Sequence, residues 1–149
     1  MKDLRGEAAQ TVPAEAQRCL DLLADLESYP RWYPDVVRRI EVMAREGSQV
    51  TQARATLHAA IGPINRDLDL LLSVVRQSDT VLLARVPHAG SDRERFEVRW
   101  RAAPHASDRT RLELALAASL DLPRLLPTGG LADTLAAGFV SAAARELSR

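Results

Sequence analysis

Large aromatic side chains are scarce, with two Phe, two Trp and two Tyr making up 4% of 149 residues. Any core must therefore be mostly aliphatic, and 24 of its candidate residues are Ala. The single cysteine, Cys19, excludes an internal disulfide, and three scattered histidines (His58, His88, His105) give no metal-ligand spacing. Neither a metal nor an organic cofactor is expected. No charge of one sign prevails, since 20 basic residues balance 20 acidic ones. A field that would draw the whole molecule to nucleic acid is thus lacking, and no nucleic-acid partner is expected. No apolar run approaches the ~18 residues of a membrane span, and the opening MKDLRGEAAQ has no apolar core. A soluble, cytoplasmic protein is the expectation. A Gly-x-Ser-x-Gly nucleophile elbow and a Gly-rich phosphate loop are also missing; Thr128-Gly129-Gly130 reads as the start of a helix.

What is present is a change of period. After a weakly alternating stretch 3–12, Val12-Pro13 opens a segment in which Ala16, Cys19, Leu20, Leu23, Ala24 and Leu26 recur at three-and-four spacing, predicting an amphipathic helix over 14–27. Ser28-Tyr29-Pro30-Arg31-Trp32-Tyr33-Pro34-Asp35 then sets two prolines among three aromatics, which permits one short helical turn from Pro30 and no more. From residue 37 the period is 2. Strands are predicted at 37–46, 49–61, 65–76, 80–87, 94–103 and 109–119, separated by short turns that include Gly47-Ser48, Gly62-Pro63, residues 88–92 and residues 104–108. Connections this short imply an antiparallel meander.

Alternation assigns the faces. Phe96, Val98 and Trp100 oppose Glu97, Arg99 and Arg101; Leu112, Leu114 and Leu116 oppose Arg111 and Glu113; Leu68, Leu70, Leu72 and Val74 oppose Asp67, Asp69 and Ser73. One face is wet and the other needs a cover. The predicted helix 131–148 supplies it, with Leu131, Leu135, Phe139 and Ala142 on one stripe after the breaker Pro127-Thr128-Gly129-Gly130. The expected fold is α+β, one domain over 1–149, with seven antiparallel strands curved around a C-terminal helix and two short helices between strands 1 and 2.

That order of elements, with Val12-Pro13-Ala14-Glu15-Ala16 opening the first helix and Asp25-x-x-x-Tyr29-Pro30-x-Trp32-x-Pro34 closing it, resembles the START-like SRPBCC superfamily, in particular its polyketide cyclase/dehydrase and coenzyme-Q-binding branches. The resemblance spans Leu4 to Leu147 and implies a helix-grip fold with an apolar cavity between sheet and terminal helix. It further implies a lipid, isoprenoid or polyketide-like ligand, held by a carrier or sensor or, in a minority of members, cyclised or dehydrated. The residues themselves allow a cavity, because Ala53, Ala55 and Ala59 facing Ala136, Gly138, Ala142 and Ala143 leave few large side chains to fill the space. Equally, Ala allows the helix to pack close.

Candidate binding residues are those on the inward stripes: Leu70, Leu72, Phe96, Trp100 and Leu114 from the sheet, Leu135 and Phe139 from the helix. Trp32 and Tyr33 either stack on a flat ligand at the cavity rim or anchor their turn in the core. Arg54 and His58 share one side of strand 49–61. Facing the cavity, they would polarise a carbonyl or move a proton; facing water, they are surface residues, and the apolar opposite side of Ala53, Ala55, Leu57, Ala59 and Ile61 is the natural inward one. Cys19 reads as a buried small side chain. Asp25 reads as a holder of the aromatic turn through hydrogen bonds to backbone N–H groups.

Overall fold

The computed structural model describes residues 2–61, 63–87, 93–122, 125–126 and 128–149, without the side chains of residues 61 and 64. His88 with the connection 88–92, Gly62 and Pro127 lie outside the described residues. Strand β1 (Lys2–Val12) leads to helix α1 (Ala16–Ala24), a 3-10 turn (Leu26–Ser28) and the single turn α2 (Tyr29–Trp32). Six strands follow, β2 (Val37–Glu46), β3 (Gln49–Ile61), β4 (Ile64–Gln77), β5 (Thr80–Arg85), β6 (Arg95–Ala106) and β7 (Arg109–Leu120), and the chain closes with α3 (Leu131–Leu147). All seven strands make one antiparallel sheet in the order β1-β7-β6-β5-β4-β3-β2. It is the helix-grip α+β architecture.

Local chemistry explains the boundaries that differ from expectation. Helix α1 stops at Ala24, short of residue 27, because Asp25 leaves helical geometry at φ −88°, ψ 83° and the chain tightens into the 3-10 turn. Strand β6 runs on through Pro104 and His105 to Ala106, where a loop was expected. Proline is accommodated by the irregularity between Pro104 and Ala106, and Ser107-Asp108 alone forms the turn. The β2–β3 hairpin turns at Gly47, whose φ of +62° favours glycine.

The inward stripes are as the alternation reads them. Val81, Trp100 and Leu114 stand side by side across β5, β6 and β7, and all three are buried, whereas Arg99 and Arg101 are exposed on the opposite face. Helix α1 covers this end through Cys19, Leu20 and Leu23. Thr110, fully buried, donates its hydroxyl to the Ala14 carbonyl at 2.7 Å and so ties β7 to the approach to α1.

Helix α3 lies chiefly along β1 and then β7, not centrally opposite the alanines of β3. Gly6 dictates this, since a Cβ there would overlap the backbone of Ala132 and Asp133. Close approach lets Asp133 accept the Glu7 backbone N–H at 2.9 Å, occupying an open donor of the edge strand. At its other end α3 is tied by Arg31 to Glu146 at 2.6 Å and by Arg18 to the Leu147 carbonyl at 3.1 Å.

Candidate functional site

Between the sheet, α2 and α3 lies a cavity of about 20 Å³, room for a single water. Eleven residues line it, every one aliphatic or aromatic; Tyr29, Ile40, Leu57, Leu72, Phe96 and Phe139 mark its extent. The expectation of an open cavity is thereby corrected, because the interior has closed to far less than the ~300 Å³ of an ordinary ligand pocket. Closure is the work of aromatics. Tyr33 packs edge-on against Phe139 at 4.8 Å between ring centroids, Phe139 stands edge-on to Trp100 at 6.5 Å, and Trp32 is stacked with Tyr33 at 6.3 Å. Gly138 makes room for this row, since a Cβ there would strike the Tyr33 hydroxyl.

Of the binding candidates, Leu72, Phe96 and Phe139 line the cavity. Leu70, Trp100 and Leu114 are buried on the same inner face, and Leu135 is half-buried against the core. Trp32 and Tyr33 lie in the core and not at a rim, with Trp32 only 6% exposed. The turn that carries them is a hydrogen-bonded knot: Trp32 Nε1 donates to Ser28 Oγ at 3.0 Å, Ser28 Oγ donates to the Asp25 carbonyl at 2.7 Å, and Tyr29 Oη donates to the Leu23 carbonyl at 2.6 Å. Asp25 therefore holds the turn with its main-chain oxygen, where a side-chain role was expected; its carboxylate makes no cap. Burial pushes both the Tyr29 and the Tyr33 hydroxyl pKa up, and for Tyr33 the neighbouring Asp35 adds to the effect.

Arg54 and His58 point outward. Arg54 is exposed opposite Glu41, while His58 Nδ1 lies 2.8 Å from Asp67 Oδ1 across the β3–β4 pair. Neither reaches the cavity. Cys19 is buried at the Thr110 end, and burial raises its thiol pKa, the opposite of what a nucleophile requires.

One residue escaped the sequence reading. Arg85 pairs directly with Leu72 at the end of β5, so it stands on the inner face beside a cavity-lining side chain. It is half-buried, and its Nη1 donates to the Glu94 carbonyl at 2.6 Å. Continuing the alternation Val81, Leu83 by one step would have found it. A second polar group lies deeper: the indole N–H of Trp100 is fully buried and faces the Tyr29 hydroxyl, outside ideal hydrogen-bond geometry.

Residues 12–138 match the family described as Polyketide cyclase / dehydrase and lipid transport. The chain belongs to this family. Solved structures agree on a START-like fold. A START superfamily protein from Mycobacterium smegmatis is similar with a TM-score of 0.71 at 21% identity, covering 97% of this chain and 94% of its own. The Zhui aromatase/cyclase from Streptomyces sp. R1128 is similar with a TM-score of 0.69 at 16% identity, covering 99% and 95%. The lipid transfer and protein localization domain of human StarD13 reaches 0.64 at 17% identity, covering 95% and 75%. A comparison with curated proteins finds no match. The apolar cavity between sheet and terminal helix is the candidate site, and no helix among the described residues is long and apolar enough to cross a membrane.

Proposed function

We propose that this family member acts as one ligand-binding domain that holds a largely apolar small molecule, lipid-, isoprenoid- or polyketide-like, between the sheet and α3, as a carrier or sensor in the cytoplasm. The wholly apolar and aromatic lining of the grip cavity carries the reading. One polar group gives the ligand an orientation: Arg85, at the strand end, meets its polar or anionic group. The buried, unpaired Cys19 agrees with a reducing compartment.

The test is a titration with palmitate and with hexadecanol, followed by the emission of Trp100 and Trp32. Both probes should shift emission in the parent chain, and Arg85→Met should weaken palmitate at least tenfold while leaving hexadecanol unchanged. Unaltered emission with both, together with no co-purified compound in mass spectra of organic extracts, would refute the reading.

Arg85 also favours a second reading, an aromatase/cyclase or dehydratase in the same grip. A cation beside an apolar cavity can stabilise a developing enolate, and each well-placed group of that kind contributes about 3–4 kcal/mol. On that reading Arg85→Met would abolish turnover of a poly-β-ketone thioester without abolishing its binding.

A further inference from the structure

The outer face of the sheet carries its own pattern, independent of the grip. Three rows of residues run across β1, β7 and β6. The register sets Asp3 beside Ser119 beside Arg95, Arg5 beside Ala117 beside Glu97, and Glu7 beside Ala115 beside Arg99. The middle column is small and the outer columns are charged, so the face is a trough. Down β1 the signs run minus, plus, minus; down β6 they run plus, minus, plus. The side chains are solvated, Arg99 being 60% and Glu97 46% exposed. Bonds within the face are few: Ser119 donates to Asp3, and Glu97 meets Arg99 at 3.6 Å along one strand, a contact of little value in water.

This pattern is complementary to itself under one operation only. A two-fold axis running along β7 lays β1 over the β6 column of a second copy, row for row. Asp3 then meets the partner's Arg95, Arg5 meets the partner's Glu97 and Glu7 meets the partner's Arg99, and the symmetry repeats each pair. Ala117 and Ala115 fall on the axis, where small side chains let two sheets approach to the usual ~10 Å. An axis across the strands would instead set Asp3 against the partner's Glu7. We propose that this face is the interface of an isologous homodimer with its axis along β7. Glu113, the acidic residue next in the β7 column, lies beyond the three rows, and its charge is already met by Arg101 at 3.6 Å and Arg111 at 3.1 Å.

The size sets the strength. Three strands, β1, β7 and β6, span about 14 Å, and residues 3–9 of β1 span about 20 Å, giving roughly 300 Å² per copy before the long charged side chains are counted. That is smaller than a stable specific contact, so the dimer is a weak, transient and salt-sensitive one. It leaves α3 and the grip free on the opposite face.

Sedimentation equilibrium tests this at about 200 µM protein, the range a contact of this size requires, in about 0.03 M and about 0.5 M salt. The parent chain should dimerise in low salt and dissociate at least tenfold more readily in high salt. Arg99→Glu should weaken association at least tenfold, and the double variant Glu7→Arg/Arg99→Glu should restore it to within about threefold, because the same pairs re-form with signs exchanged. Arg5→Glu with Glu97→Arg provides an independent exchange should the first pair fold poorly, and thermal melting of each variant checks folding. A parent chain that stays monomeric in low salt, or a dimer indifferent to Arg99→Glu, would overturn the assignment.

Discussion

Replacing Gly6 with Ala separates two physical rules that predict opposite signs. Gly6 sits inside β1 without a positive φ, so its backbone conformation is open to alanine. On propensity alone the change stabilises by about 0.4–1 kcal/mol, through the unfolded chain. The structure predicts the reverse, because the new Cβ would overlap the main chain of Ala132 and Asp133, and no side-chain rotation relieves a clash with backbone. Overpacking of this kind costs about 1–3 kcal/mol. Lifting the start of α3 also loses the bond from the Glu7 N–H to Asp133, worth about 1 kcal/mol. After the unfolded-state gain is subtracted, the net is about 1–4 kcal/mol. For a chain of this length each kcal/mol lowers Tm by roughly 2–4 °C, so the melt should fall by about 2–14 °C. Thermal denaturation followed by circular dichroism measures it, and amide exchange should quicken in the first two turns of α3. An unchanged or raised Tm would refute the docking of α3 on β1.

The two tyrosines give a pH signature. Both hydroxyls are raised by burial, so the folded state favours the protonated form; stability is complete below the ordinary value of about 10 and is lost as pH climbs above it, and absorbance near 295 nm should show no tyrosinate until the chain unfolds. Thr110→Val leaves the Ala14 carbonyl without its buried donor and should lower the urea-derived stability by about 1–3 kcal/mol. Arg54→Ala and His58→Ala alter solvated outer-face residues, so each should change stability by less than ~0.5 kcal/mol and leave palmitate binding as in the parent chain; a tenfold loss of affinity would return them to the site.

The sheet was legible because its chemistry is one-dimensional. Alternation at Phe96, Val98 and Trp100 states which face is wet, and a slip of one residue would have exposed Trp100, which is fully buried. Turn residues at Gly47-Ser48 fixed the β2–β3 hairpin to the residue. What the sequence could not state was distance. Gly6 carries no pattern that announces a helix backbone against it, and the alanines of β3 pointed to a facing α3 that in fact lies over β1. The role of Asp25 was hidden for a similar reason: a main-chain oxygen has no residue type, so the knot from Trp32 through Ser28 to Asp25 is visible only in three dimensions. Arg85 was within reach. Its position, two residues beyond Leu83, obeys the same alternation, but the pattern is sought in apolar residues and an arginine ends the search.

The closed grip has a consequence for what it can accept. A cavity of about 20 Å³ admits no lipid as it stands, so binding must part α3 and the α2 turn from the sheet. The ion pair and hydrogen bond that tie the end of α3, Arg31 to Glu146 and Arg18 to Leu147, are near the surface and worth about 1 kcal/mol or less each. The larger cost lies in separating Tyr33 and Phe139 from Trp100 and the inner face. At about 25 cal/mol per Å², a ligand burying ~400 Å² of apolar surface gains roughly 10 kcal/mol, whereas a fragment burying a quarter of that gains only about 2.5. Before anything else is counted, association itself takes at least 4 kcal/mol from either. Only the larger molecule retains a surplus with which to hold the grip open. Size selection thus follows from closure itself: the tighter the aromatic row packs without ligand, the more apolar surface a ligand must bring.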